Sequence, residues 1–174
     1  MSRLRAPAFL AALLVVGTAA ANSGANLPAE AVEVLARFVG EWETETWIRH
    51  EGPPVRESRT KGRAGCRPTL EGRYVEFRSA STPPGRSDLQ IMAYDVARGR
   101  YRQWLFDADG YRHEAEGQWD PATSTLRWRG QVDGATFAID DRWVSPDRLE
   151  WTLTRTGPDG RRLQTIRGIL RRVR

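Results

Sequence analysis

From Gly40 to the last residues of the chain the sequence pattern has a period of two, clean in several segments, and no helical stretch interrupts it. This period of two constrains the fold more than any other feature. Segments rich in Trp, Tyr, Val, Ile and Thr alternate with clusters of Gly, Pro, Asp and Ser, the signature of short strands joined by turns. Ten strands are predicted, over residues 41–49, 55–66, 72–80, 88–95, 100–107, 111–119, 125–131, 135–145, 148–155 and 162–172. Asp109-Gly110 and Asp133-Gly134 are tight hairpin signals. Ser145-Pro146-Asp147 and Gly157-Pro158-Asp159-Gly160 are turn clusters. Without intervening helices, parallel crossovers have no connection to use, so successive antiparallel pairing is expected. An open ten-strand sheet would expose two unpaired edges, and closure removes them. The expectation is an all-β, up-and-down antiparallel β-barrel of about ten strands. A two-sheet sandwich satisfies the same alternation and is the competing architecture.

The alternation also assigns faces. Tyr111, His113, Ala115, Gly117 and Trp119 share one side of their strand, opposite Arg112, Glu114, Glu116 and Gln118. Leu126 and Trp128 oppose Arg127 and Arg129. Phe137, Ile139, Asp141 and Trp143 form a third inward series, and Trp151 belongs to a fourth. The chain has seven Trp, enough to build a bulky core and also to line a cavity.

Only one helix is predicted, over 28–39. Pro28 suits a first turn, Glu30 and Glu33 favour its N-terminal half, and Gly40 ends it. Val32, Leu35, Ala36 and Val39 are the expected apolar stripe, docked on the body of the domain, across one end of the barrel. Ahead of it, residues 1–21 have the form of a secretory signal peptide. Arg3 and Arg5 precede an apolar run from Ala6 to Val16 and the small residues Ala19-Ala20-Ala21. The run is shorter than the ~20 residues that a membrane helix needs; an N-terminal membrane anchor is the alternative. Residues 22–27 read as a tether and 28–174 as one domain. The mature chain is expected to have no transmembrane segment and to be periplasmic or extracellular. Removing Arg3 and Arg5 lowers the net charge from +5 to +3. The remaining basic residues are nearly all Arg and alternate with apolar positions, as solvated strand faces do. No nucleic-acid partner is expected. A lone cysteine, Cys66, rules out an internal disulfide; it reads as a half-buried strand residue rather than a reactive thiol.

Familiar catalytic signatures are missing: there is no G-x-S-x-G, H-E-x-x-H, C-x-x-C or P-loop. His50 and His113 are the only histidines, so a zinc site would need several carboxylates, and no metal or cofactor is expected. Two polar residues fall on inward faces, His113 and Asp141. They could orient a ligand or act as an acid–base pair, or each could be satisfied by structural hydrogen bonds.

Several ordered pieces carry a family resemblance. Leu35 through Phe38-Val39-Gly40-Glu41-Trp42, then Leu70-Glu71-Gly72-Arg73-Tyr74, then Ala93-Tyr94-Asp95 through Gly99 to Tyr101 and Trp104, then Gly117-Gln118-Trp119-Asp120, resemble the bacterial family known as domain of unknown function 1579. That family is similar to the calycins, which include lipocalins, fatty-acid-binding proteins and nitrobindin-like haem barrels. The resemblance implies a barrel with a helix near its start and no established activity. Gly40-Glu41-Trp42 is similar to the G-x-W that opens the first calycin strand. The resemblance implies that Trp42 packs at the closed end under an arginine of the last strand, Arg171 or Arg172. Nitrobindin-like barrels hold haem through a late histidine. This chain has none after His113, so haem is not expected.

Three functions follow as expectations. The first is an exported barrel binding a small apolar or amphiphilic molecule, lined by Tyr111, His113, Trp128, Phe137, Asp141 and Trp151, with Gly40, Trp42 and Arg171 closing the far end. The second is an enzyme using His113 and Asp141. The third is an interaction module with a filled interior, working through rim loops such as 50–55 and 81–87.

Overall fold

The computed structural model describes residues 27–82 and 86–173. The expected signal peptide, most of the tether and the centre of the 81–87 loop lie outside the described residues. The short helix α1 (Ala29–Ala36) precedes ten strands. These are β1 (Gly40–His50), β2 (Arg56–Thr69), β3 (Tyr74–Thr82), β4 (Ser87–Asp95) and β5 (Arg100–Asp107). They continue as β6 (Arg112–Asp120), β7 (Thr125–Val132), β8 (Ala135–Ser145), β9 (Arg148–Thr156) and β10 (Arg162–Arg172). Each strand pairs antiparallel with its sequence neighbour, and β10 returns to β1 to close the barrel. The expected all-β, calycin-like barrel is the observed one, and the sandwich is excluded. Exposed ladder edges are thereby eliminated.

The two ends differ. The β2–β3, β4–β5, β6–β7 and β8–β9 turns gather at the end where α1 docks. There the most deeply buried side chains collect, among them Val34, Trp42, Met92, Leu126, Trp128 and Leu149. The face of α1 that docks is Ala31, Val34 and Leu35, extended by Phe38. Val32 and Ala36, expected in the stripe, point to solvent, and Val32 is 49% exposed. The i, i+3, i+4, i+7 spacing from Ala31 delivers Phe38 edge-on to Trp143, with ring centroids 4.7 Å apart, so that face wins. This end is plugged.

A clasp secures the plug. The Trp42 indole N–H donates to the Phe38 carbonyl at 2.7 Å. The Arg172 guanidinium lies 4.2 Å from the Trp42 ring centroid and donates to the carbonyls of Arg37, Val39 and Pro146. Gly40, at φ +136, leaves the space that this guanidinium occupies. Arg171 instead faces outward and sits 3.8 Å from Glu45. Of the two arginines the sequence offered, the one over Trp42 is Arg172. Strand parity decides this: Arg172 is directly opposite Trp42, and Arg171 opposite the outward Glu43.

Outward arginines pair with acids on their own or neighbouring strands, as in Arg67–Glu76, Arg127–Asp120 and Arg142–Glu150. Such exposed pairs contribute little individually, but they neutralise the outer faces. Cys66 is buried beside Gly40 in the β1–β2 ladder, and burial pushes its thiol up to about 12, which keeps it protonated and unreactive.

Candidate functional site

The other end is ringed by the five hairpin turns β1–β2, β3–β4, β5–β6, β7–β8 and β9–β10, and α1 does not cover it. Inward-facing positions there fall into two groups. On β6 and β8, His113, Ala115 and Phe137 are buried. On β9, β10, β1 and β2, the inward Leu153, Arg155, Ile166, Thr44, Thr46, Ile48 and Thr60 are only half-buried. Inward side chains on these strands stay partly exposed because this end of the barrel is open and solvent reaches them there. The mouth half is therefore a lumen with one packed wall and one wet wall.

Glycines shape the packed wall. A Cβ on Gly117 would come within 2.6 Å of Trp128, and one on Gly130 within 2.7 Å of Phe137 Cε1. Gly168 is in the same position under Trp151. Each glycine is directly opposite its aromatic in the ladder, so the ring lies flat over the neighbouring backbone. Trp128 thereby reaches toward the plugged half, where Asp141 lies, and Trp151 stands at the height of Asp141, so the two rings form the floor.

The six residues expected to line a ligand divide between mouth and floor. At the mouth, the His113 ring is 4.5 Å from Phe137 and 5.7 Å from Tyr111. At the floor, the Trp128 indole N–H donates to the Asp141 carboxylate at 2.8 Å, and Trp151 is directly opposite Asp141 on β9. Phe137 and Asp141 are four residues apart on one face of β8, about 13 Å along the strand. His113 and Asp141 make no hydrogen bond with each other; both ring nitrogens of His113 are buried without a partner. The acid–base pair expected from the sequence is not assembled. Burial is the main cause for both groups and acts in opposite directions: it lowers His113 to about 4, and, helped by the Asp140 charge, it raises Asp141 to about 7 against the indole bond.

Polar residues that the sequence did not single out complete the lumen. Ser79 and Gln90 both donate to Asp88, at 2.6 and 3.3 Å, and Gln103 donates to Gln90 at 2.7 Å. The Gln103 side-chain oxygen at the end of this chain is buried and unpartnered. Across the barrel, Arg155 is directly opposite Phe137 and Gln164, and its Nε is buried without a partner. Parity within Leu149, Trp151, Leu153 and Arg155 was the available signal for Arg155, but an arginine near a strand end reads equally well as solvated. Among the described residues no cluster of three His, Cys, Asp or Glu could hold a metal ion. A groove of about 600 Å³ lies at the mouth rim of β1, β2 and β10, lined by outward Trp47, Arg49 and Arg167 and by inward Ile48 and Ser58, so it adjoins the wet wall.

A closed antiparallel barrel with one plugged end and a wet, partly polar mouth defines a calycin-like barrel. Within that class, residues 28–172 match the family described as protein of unknown function (DUF1579), and this chain belongs to that family. The crystal structure of Rv2717c from M. tuberculosis is similar, with a TM-score of 0.64 at 12% identity over 86% of this chain and 100% of that one. The S-type phycobiliprotein lyase CPES from Guillardia theta is also similar, with a TM-score of 0.57 at 11% identity over 82% of this chain and 92% of that one. At such identities the likeness is one of fold. A comparison with curated proteins finds no match.

Proposed function

We propose that this chain is an exported carrier or sensor barrel that holds a small apolar or amphiphilic molecule in its mouth half. The observation that carries this reading is the wet wall: inward side chains on β9, β10, β1 and β2 remain half-buried inside a closed barrel. Buried polar atoms without partners at His113, Gln103 and Arg155 add to it, because leaving such groups unpaired costs about 1–3 kcal/mol each and a bound molecule would relieve that cost. The calycin-like fold supports small-molecule binding at the level of the family. The neighbour from Guillardia theta is named as a lyase, but its likeness supports the shape alone.

The test is a titration with 1-decanol, a neutral amphiphile, followed by intrinsic Trp fluorescence. Saturable binding is expected, and it should disappear when Thr46→Phe and Ile166→Phe together fill the wet wall. Binding that survives in that folded double variant would place the site elsewhere. Export is tested separately. Expression of the full chain in a Gram-negative host should yield a periplasmic product whose N-terminus lies near Asn22.

A further inference from the structure

We infer that the mouth recognises the carboxylate head of a singly charged amphiphile, docked on Arg155 with Tyr111 and His113 as neutral partners. This rests on the reading of the lumen as a binding cavity and names the class of molecule it takes. Arg155 enters the lumen from β9 in register with Phe137, the residue against which His113 packs. Its charge also reaches the Tyr111 side chain. The four residues therefore form one cluster at the rim. Among the described residues, the Arg155 side chain makes no hydrogen bond or ion pair. Outward arginines without an acid partner, such as Arg112 and Arg167, are solvent-exposed, whereas Arg155 is half-buried and its Nε is fully buried. A guanidinium without a protein partner that faces a partly apolar space is a fork for a carboxylate.

The second observation is His113 itself. It is 8% exposed, and neither ring nitrogen has a partner. Burial holds it neutral at neutral pH, so it offers one N–H without adding charge. A single positive charge with neutral donors suits a monoanion. The surroundings disfavour a second negative charge: Asp107 and Asp133 act on Tyr111, and the opposite wall carries Asp88. Below the head, the inward path along β9 from Arg155 past Leu153 to Trp151 is about 13 Å.

The experiment compares decanoate, 1-decanol and decyltrimethylammonium, all below their micellar concentrations, on the parent protein, Arg155→Gln and Arg155→Lys. Circular dichroism and thermal melts establish that each variant is folded. The parent should bind decanoate about tenfold or more tighter than 1-decanol, as a charge-assisted contact implies, and decyltrimethylammonium most weakly. Arg155→Gln should reduce decanoate to the level of 1-decanol and leave 1-decanol unchanged. Arg155→Lys should keep part of the preference. Equal binding of decanoate and 1-decanol by the parent overturns the carboxylate inference and leaves the lumen reading standing. So does a preference that survives in Arg155→Gln. No binding of any probe overturns both.

Discussion

Arg172 shows how much one side chain can hold when its surroundings are built for it. Its guanidinium stacks on Trp42 and donates to three carbonyls, one beyond the end of α1, one just before β1 and one in the β8–β9 turn. Those carbonyls are orphaned by the end of a helix and by a turn, so removing the donor strands them. Arg172→Ala should cost about 2 kcal/mol and lower the melting temperature by about 4–8 °C. Arg171→Ala, beside it, should change stability by less than about 0.5 kcal/mol, because Arg171 is half exposed and Glu45 keeps Arg59 as a partner. Paired thermal melts decide between the two, and equal losses would remove Arg172 from its assigned role.

At the scale of elements, the hairpins were legible because the turns carry their own chemistry. Asp107 accepts from the backbone N–H of Asp109 and Tyr111, Asp95 from that of Arg98, and Asp120 from that of Ala122. Strand pairing by neighbours then leaves a single order, and closure follows from the unpaired edges. The face of α1 was misjudged, since Val32 and Val34 are equally apolar and only the contact of Phe38 with Trp143 chooses between them. The candidate site was legible in part. Period two placed His113, Phe137, Asp141 and Trp151 inside, but not at which height. Height is set by register between strands, which one strand's sequence does not contain, and register separates His113 from Asp141. Register also explains the strand glycines. Gly130 is opposite Phe137, and the space for its missing Cβ is taken by that ring and by the Glu114 carbonyl 2.5 Å away. Gly130→Ala should therefore cost about 1–3 kcal/mol by overpacking. Gly134→Ala makes a useful comparison: it meets no atom, and it is strained only by its φ of +75. A Phe137→Leu change in the Gly130→Ala background should recover part of the loss, measured as the urea midpoint; no recovery would show that the ring is not the obstacle.

Across the whole molecule, His113 in the mouth half and Asp141 in the plugged half are buried titratable groups whose shifts oppose one another. His113 at the mouth is pulled from 6.5 to about 4 by burial. The unfolded chain therefore takes up its proton first as the solution acidifies. The stability this residue contributes is present above about pH 6.5 and lost as pH falls through about 4. Asp141 at the floor is pushed from 3.8 to about 7 by burial. Here the folded state keeps the proton longer. Its contribution is present below about pH 4 and lost as pH rises through about 7. Between those limits the two slopes have opposite sign and largely cancel, so each is visible only when the other is removed. His113→Phe should make stability fall more steeply with pH than in the parent over about pH 4.5 to 6.5. Asp141→Asn should make it rise relative to the parent over the same range. His113 packs on Phe137, about 13 Å along β8 from Asp141, and the two share no hydrogen bond, so the double variant should return close to the parent slope. Urea midpoints at three pH values for the four proteins measure this directly. Slopes that move in the same direction in both single variants would mean that burial does not control these two groups.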